Sequence, residues 1–134
     1  MSKDDRGVGM IPTAAGFVVF ILFLLLAVQV LYGLYATSTV RGTLNDAASR
    51  AANGALSKAQ LRRLADDAER SLGRMGDRTT IELRLVDDDA DGVPDVVAGS
   101  AVADPPRFVP PPLGSVAGLD DIAVSVRVRI ERFR

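Results

Sequence analysis

Asp87, Asp89, Asp91 and Asp95 are the residues of this 134-residue chain whose type and spacing point to a definite chemistry. They stand in VDDDADGVPD, residues 86–95, where five aspartates fall within nine positions around a glycine and a proline. Carboxylates at alternate positions, followed by a glycine for a sharp bend, suit a hard divalent cation such as calcium. Counting from Asp87, the first, third and fifth places of a calcium loop are Asp87, Asp89 and Asp91, and the sixth is Gly92. The seventh, a backbone-carbonyl place, is Val93, and the ninth is Asp95. The twelfth, where a bidentate glutamate closes such a loop, is Ala98. The candidate calcium ligands are therefore Asp87, Asp89, Asp91, Val93 and Asp95, with the closing ligand missing. The same residues also make a turn: Asp and Gly are favoured turn residues, and Asp91-Gly92 is by itself a hairpin signal. Six acids lie from Asp87 to Asp104 with no basic residue in that interval. Such a cluster repels itself unless water or a cation screens it.

Other chemistry is narrowed by what the chain lacks. With no cysteine and no histidine, it has no disulfide, no thiol nucleophile, no zinc site of the usual kinds and no histidine acid–base catalysis. The formal net charge of −1 gives no global attraction to nucleic acid. No nucleophile and base are patterned together, and an enzyme is not expected.

The elements that must position the aspartates begin far upstream. The run AAGFVVFILFLLLAVQVLYGLYA, residues 14–36, has no charged residue and only one strongly polar one, Gln29. As a helix it would reach roughly 35 Å, enough to cross a bilayer. It is longer than the apolar region of a secretory signal, and no small-x-small cleavage site follows before Arg41, so a retained membrane helix is expected. Tyr32 and Tyr35 suit the lipid–water boundary at its downstream end. Residues 1–13 form a short tail or leader, expected on the cytoplasmic side. Gly33, Ala27, Ala36 and Ser38 are small enough to let another helix approach.

Val40, Leu44, Ala47, Ala48 and Ala51 continue at helical spacing, so the helix extends as a stalk over 37–54 and stops at Asn53-Gly54. Ser57 and Gln60 form a capping-box pattern opening a second helix over about 58–73. Its apolar stripe is Leu61, Leu64, Ala65, Ala68, Leu72 and Met75. The period then becomes two. Ile81, Leu83 and Leu85 alternate in 79–86, and Ile122, Val124, Val126, Val128 and Ile130 alternate near the C-terminus, with a weaker strand over 95–103 between them. Five prolines make 104–121 a loop crossing. The expected fold is α+β: a long N-terminal transmembrane helix extending into a stalk, and a second amphipathic helix packed on a small antiparallel sheet. Residues 55–134 make up the small extracytoplasmic domain.

Asp-Arg-Gly before the apolar run, YATSTVRGTLNDAASRAANG after it, and the terminal IAVSVRVRIERFR together resemble the TadE-like proteins of bacterial Tad pilus systems. In that family an alanine-rich DAAxxAA segment follows the membrane helix, matched here by Asp46, Ala47, Ala48, Ala51 and Ala52. The resemblance implies a pilin-like, single-pass protein of the bacterial cell membrane that meets other pilin-like or assembly subunits through its N-terminal helix. Prepilins of this kind carry a glycine at a leader cleavage site and a glutamate shortly after it. Gly7 and Gly9 could each supply the glycine, but no glutamate precedes Glu69. That departure implies an unprocessed or accessory subunit. VDDDADGVPD is also similar to the DxDxDGxxD unit of thrombospondin type 3 repeats, present here in one copy. The alternative function is a membrane-anchored extracellular binding module with a calcium-stabilised loop.

Overall fold

The computed structural model describes residues 10–54, 57–110 and 121–131. The tail residues Gly7 and Gly9 and the second half of the proline-rich segment lie outside the described residues. Helix α1 (Met10–Asn53) is one uninterrupted element of 44 residues, joining the apolar run to the stalk. Helix α2 (Lys58–Ser71) opens on the capping box read from the sequence: the Ser57 hydroxyl accepts from the Gln60 N–H at 3.4 Å, and Gln60 Oε1 accepts from the Ser57 N–H at 2.9 Å. It stops two residues earlier than the periodicity predicts. Gly73 takes a left-handed conformation (φ 59°), and a 3₁₀ segment (Gly73–Arg78) carries the chain into the sheet. Gly76 must be glycine for a steric reason, because a Cβ there would overlap the carbonyl oxygen of Glu69.

Strands β1 (Thr79–Val86), β2 (Val96–Ala103) and β3 (Ile122–Arg129) form an antiparallel sheet in sequence order. The expected weak strand over 95–103 is thus the central one. The architecture is α+β and pilin-like, as the pattern predicts. Ile81, Leu83 and Leu85 of β1 stand beside Ala101, Gly99 and Val97 of β2, which in turn stand beside Val124, Val126 and Val128 of β3. That single apolar face is covered by both helices. Val40, Leu44 and Ala47 of α1 cluster with Ile81, Ala101, Ala103 and Val124 toward one end of the sheet. Ala48, Ala51 and Ala52 cluster with Leu61 and Val97 toward the other.

Close approach of α1 to the sheet depends on small residues. A Cβ at Gly99 would lie 2.9 Å from Leu44 Cδ1 and 3.2 Å from Leu83 Cδ2, so only glycine leaves room for Leu44, which is fully buried. Along β1, the Arg78 carbonyl accepts from the Asp104 N–H at 2.9 Å, so even-numbered residues bond to β2 and odd-numbered N–H groups point outward. One of these, on Ile81, donates to Glu69 Oε1 of α2 at 2.7 Å. The helix thereby covers part of an otherwise open sheet edge.

Candidate functional site

Two loops leave opposite ends of the sheet. The β1–β2 connection carries the aspartates and lies beyond the Val97 end, while the described part of the β2–β3 connection, residues 104–110, lies toward the apolar half of α1.

The aspartate loop spans nine residues, 87–95, between Val86 and Val96, so the hairpin is not closed by a two-residue Asp91-Gly92 turn. Gly92 has φ 85°, and Ala90 also takes the left-handed region at φ 57°, a costly conformation for a residue with a Cβ. The loop is wired through its own side chains. Asp87 Oδ2 accepts from the Gly92 N–H at 2.7 Å, Asp91 Oδ1 from the Val93 N–H at 2.8 Å, and Asp95 Oδ1 from the Asp88 N–H at 2.9 Å. Oxygens of Asp87, Asp89 and Asp95 lie within 4.8 Å of one another, close enough to share one cation. Asp91 does not join them; its carboxylate is spent on the turn to Val93, whose side chain is 40% exposed. The converging carboxylates are therefore three of the four aspartates expected from loop spacing. Arg127, reaching over from β3, comes within 3.7 Å of Asp88, so the acid run has a basic neighbour that the local sequence does not show.

The electrostatics of the trio are unbalanced. Lost hydration raises the pKa of Asp87, but N–H groups of Gly92, Asp91 and Ala90 and a hydrogen bond with Asp89 together hold its carboxyl below the ordinary aspartate value. Asp89 goes the other way. Its hydrogen bond to Asp87, lost hydration and the charges of Asp91 and Asp95 push it up. Asp87 Oδ1 is shut off from solvent with no donor against it. No donor among the described residues satisfies that oxygen; a cation held by the trio would.

At the other end, the apolar half of α1 is long and apolar enough to cross a membrane. Most of its large side chains are bare: Phe17 is 65% exposed, Phe20 61%, Phe23 69% and Leu31 66%, while Ile21, Leu25, Leu26 and Tyr32 are half-buried. Gln29 is buried, at 3%. Its Nε2 donates to the Pro106 carbonyl at 3.2 Å and its Oε1 accepts from the Phe108 N–H at 2.8 Å. The ring of Phe108 meets Tyr32 edge-on, centroids 6.0 Å apart. Sequence reading treats Gln29 as a tolerated amide; the structure makes it the docking point of a loop some eighty positions away, with no local signal to reveal it. Of the small residues expected to admit another helix, Ala36 is used up within this fold at 1% exposure. Ala27 and Ser38 are exposed, and no atom lies within 4 Å of where a Gly33 side chain would begin.

The chain matches no family model, no curated protein and no solved structure.

Proposed function

We propose that this chain is a structural component of a membrane-anchored assembly, a pseudopilin-like subunit of a Tad-type pilus or related secretion apparatus, with no catalytic role of its own. The reading rests on one observation above all. A single helix carries a small sheet domain on one half and leaves the other half apolar on all sides except at Gln29. A subunit built so is held by lipid and by neighbouring helices, and the exposed Ala27 and Ser38, about 20° apart around α1, mark a side where a second helix can lie close, while Gly33 falls nearer the Gln29 side. The resemblance of residues around 5–54 to TadE-like proteins supports the same reading. In this arrangement the tail before Met10 is cytoplasmic and the sheet domain extracytoplasmic.

The test is photo-crosslinking in the source cell from probes placed at Ala27, Gly33 and Ser38. Adducts to other single-pass pilin-like subunits are expected. Adducts to lipid alone at all three positions would remove the assembly reading and leave a simple anchor. Sequencing the N-terminus of the mature protein adds a second line: a start just after Gly7 or Gly9 marks entry into a filament.

A second reading is favoured by the unsatisfied Asp87 Oδ1. Asp87, Asp89 and Asp95 would hold calcium, which would supply charge neutralisation and lock the β1–β2 loop for binding an extracellular partner. Calorimetry on the full chain in detergent decides it. An exchange heat that vanishes when Asp89 is changed to Asn is expected; no heat at millimolar calcium excludes the site.

A further inference from the structure

Helix length places Gln29 at an informative depth. Twenty residues rise about 30 Å, the thickness of a bilayer's hydrocarbon core, and so end between Val30, counting from Ile11, and Gly33, counting from Ala14. The loop that Gln29 holds is therefore level with the lipid boundary, not out along the stalk. Its backbone suits that depth. Pro105 and Pro106 have no N–H to satisfy, and the Pro106 carbonyl and Phe108 N–H are both taken by the one Gln29 amide. Backbone polar groups near lipid must find protein partners, because no water is there to serve them.

The surroundings at this depth are apolar. Val109 is buried, while Phe108 is 44% exposed despite its contact with Tyr32. On other sides of α1, Leu31, Leu34 and Tyr35 are each about two-thirds exposed, so apolar surface continues roughly 3–9 Å past Gln29 along the helix. Arg107 points the opposite way in chemistry. It lies 3.9 Å from Asp104 and 4.0 Å from Asp121, a charged group marking the wet side.

We infer that residues 104–110 are a lipid-contacting element: Phe108 enters the interfacial region of the leaflet on the domain's side, and the Gln29 clamp fixes how deep it goes. The sheet domain is then held against the membrane surface rather than carried free on a stalk. The inference rests on the reading of α1 as a membrane span. Lipid is the occupant because the exposed aromatic sits at the depth where amphipathic and aromatic side chains favour the interface, beside apolar helix surface at the same height.

The chain has no tryptophan, so Phe108→Trp and Phe20→Trp each give a single tryptophan, excited at the red edge of the absorption band where Tyr32 and Tyr35 do not absorb. The full chain is reconstituted in phosphatidylcholine vesicles brominated either near the carbonyls or near mid-chain. Tryptophan at 20 should lose most of its emission to mid-chain bromine. Tryptophan at 108 should emit to the blue and be quenched more by bromine near the carbonyls. Adding Gln29→Leu should shift the 108 emission to the red and weaken that quenching. If position 20 is quenched and position 108 emits as in water, the loop does not touch lipid and the inference fails while the anchor stands. Blue emission at 108 that ignores bromine but changes with the protein-to-lipid ratio means a second copy covers the loop, which also overturns it. If position 20 itself escapes quenching, the anchor reading fails first and takes this one with it.

Discussion

The two halves of α1 are built from similar residue types and have opposite surroundings. From Val40 to Ala52 the apolar side chains recur at helical spacing and every one of them is buried against the sheet or α2. From Ile11 to Tyr35 they occur at nearly every position, are larger, and mostly stay exposed, with Ile21, Leu25, Leu26 and Tyr32 half-buried. An amphipathic stripe of Val, Leu and Ala specifies a protein partner, since only one face can be covered. A helix apolar all round specifies a solvent, since no small domain can surround it. Gln29, Tyr32 and Ala36 mark where the first regime gives way to the second, and the fold uses that point to attach a loop.

The contrast breaks most sharply under truncation of one leucine in each half. Leu44→Ala removes a fully buried side chain that contacts the space above Gly99, and should cost about 2–5 kcal/mol. Leu24→Ala, at 49% exposure, should leave the unfolding of the sheet domain unchanged. Both are read from thermal unfolding in detergent, followed by the loss of strand signal in circular dichroism. Equal destabilisation by the two would mean that the lower half has a protein contact this monomer does not contain.

Gly99→Ala sharpens the same point from the sheet side. The new methyl would press on Leu44 Cδ1 at 2.9 Å and Leu83 Cδ2 at 3.2 Å, and overpacking of this kind costs about 1–3 kcal/mol. Pairing it with Leu44→Ala should recover part of that loss, because the cavity of one accepts the methyl of the other. Strict additivity in the double variant would show that α1 sits farther from β2 than the structure has it.

The contrast also explains what could be read from sequence. Period and hydropathy carried the helices, the capping box at Ser57 and Gln60, the alternating strands and the buried stripe of the stalk, because each is a local pattern of residues a few positions apart. What escaped was decided across long separations. Gln29 looks like an isolated polar residue until Phe108 is placed beside it, and Arg127 is invisible to a reading of residues 86–95. Asp91 fits the calcium spacing, yet a nearer partner, the N–H of Val93, takes its carboxylate. Linear ligand spacing describes a loop of fixed backbone; here the left-handed Ala90 gives a different path.

The smallest effect concerns a polar atom left incomplete in the way the lower helix is left uncovered. Asp87 and Asp89 share one hydrogen bond and are pushed apart in pKa, Asp87 below the ordinary value of 3.8 and Asp89 above it. Asp89, raised on folding, contributes stability that is fully present below its unfolded value and is lost as pH rises through its folded one. Asp87, lowered, contributes stability that is present above its unfolded value and is lost as pH falls through its folded one. The two slopes therefore oppose each other on either side of 3.8. Carbon-detected NMR of the carboxyl groups should show Asp87 titrating early and Asp89 late as pH is raised. Calcium competes with the proton for the same oxygens, so saturating calcium should move the Asp89 titration to lower pH. An Asp89 curve that calcium does not move would make the trio a solvated turn that holds no cation.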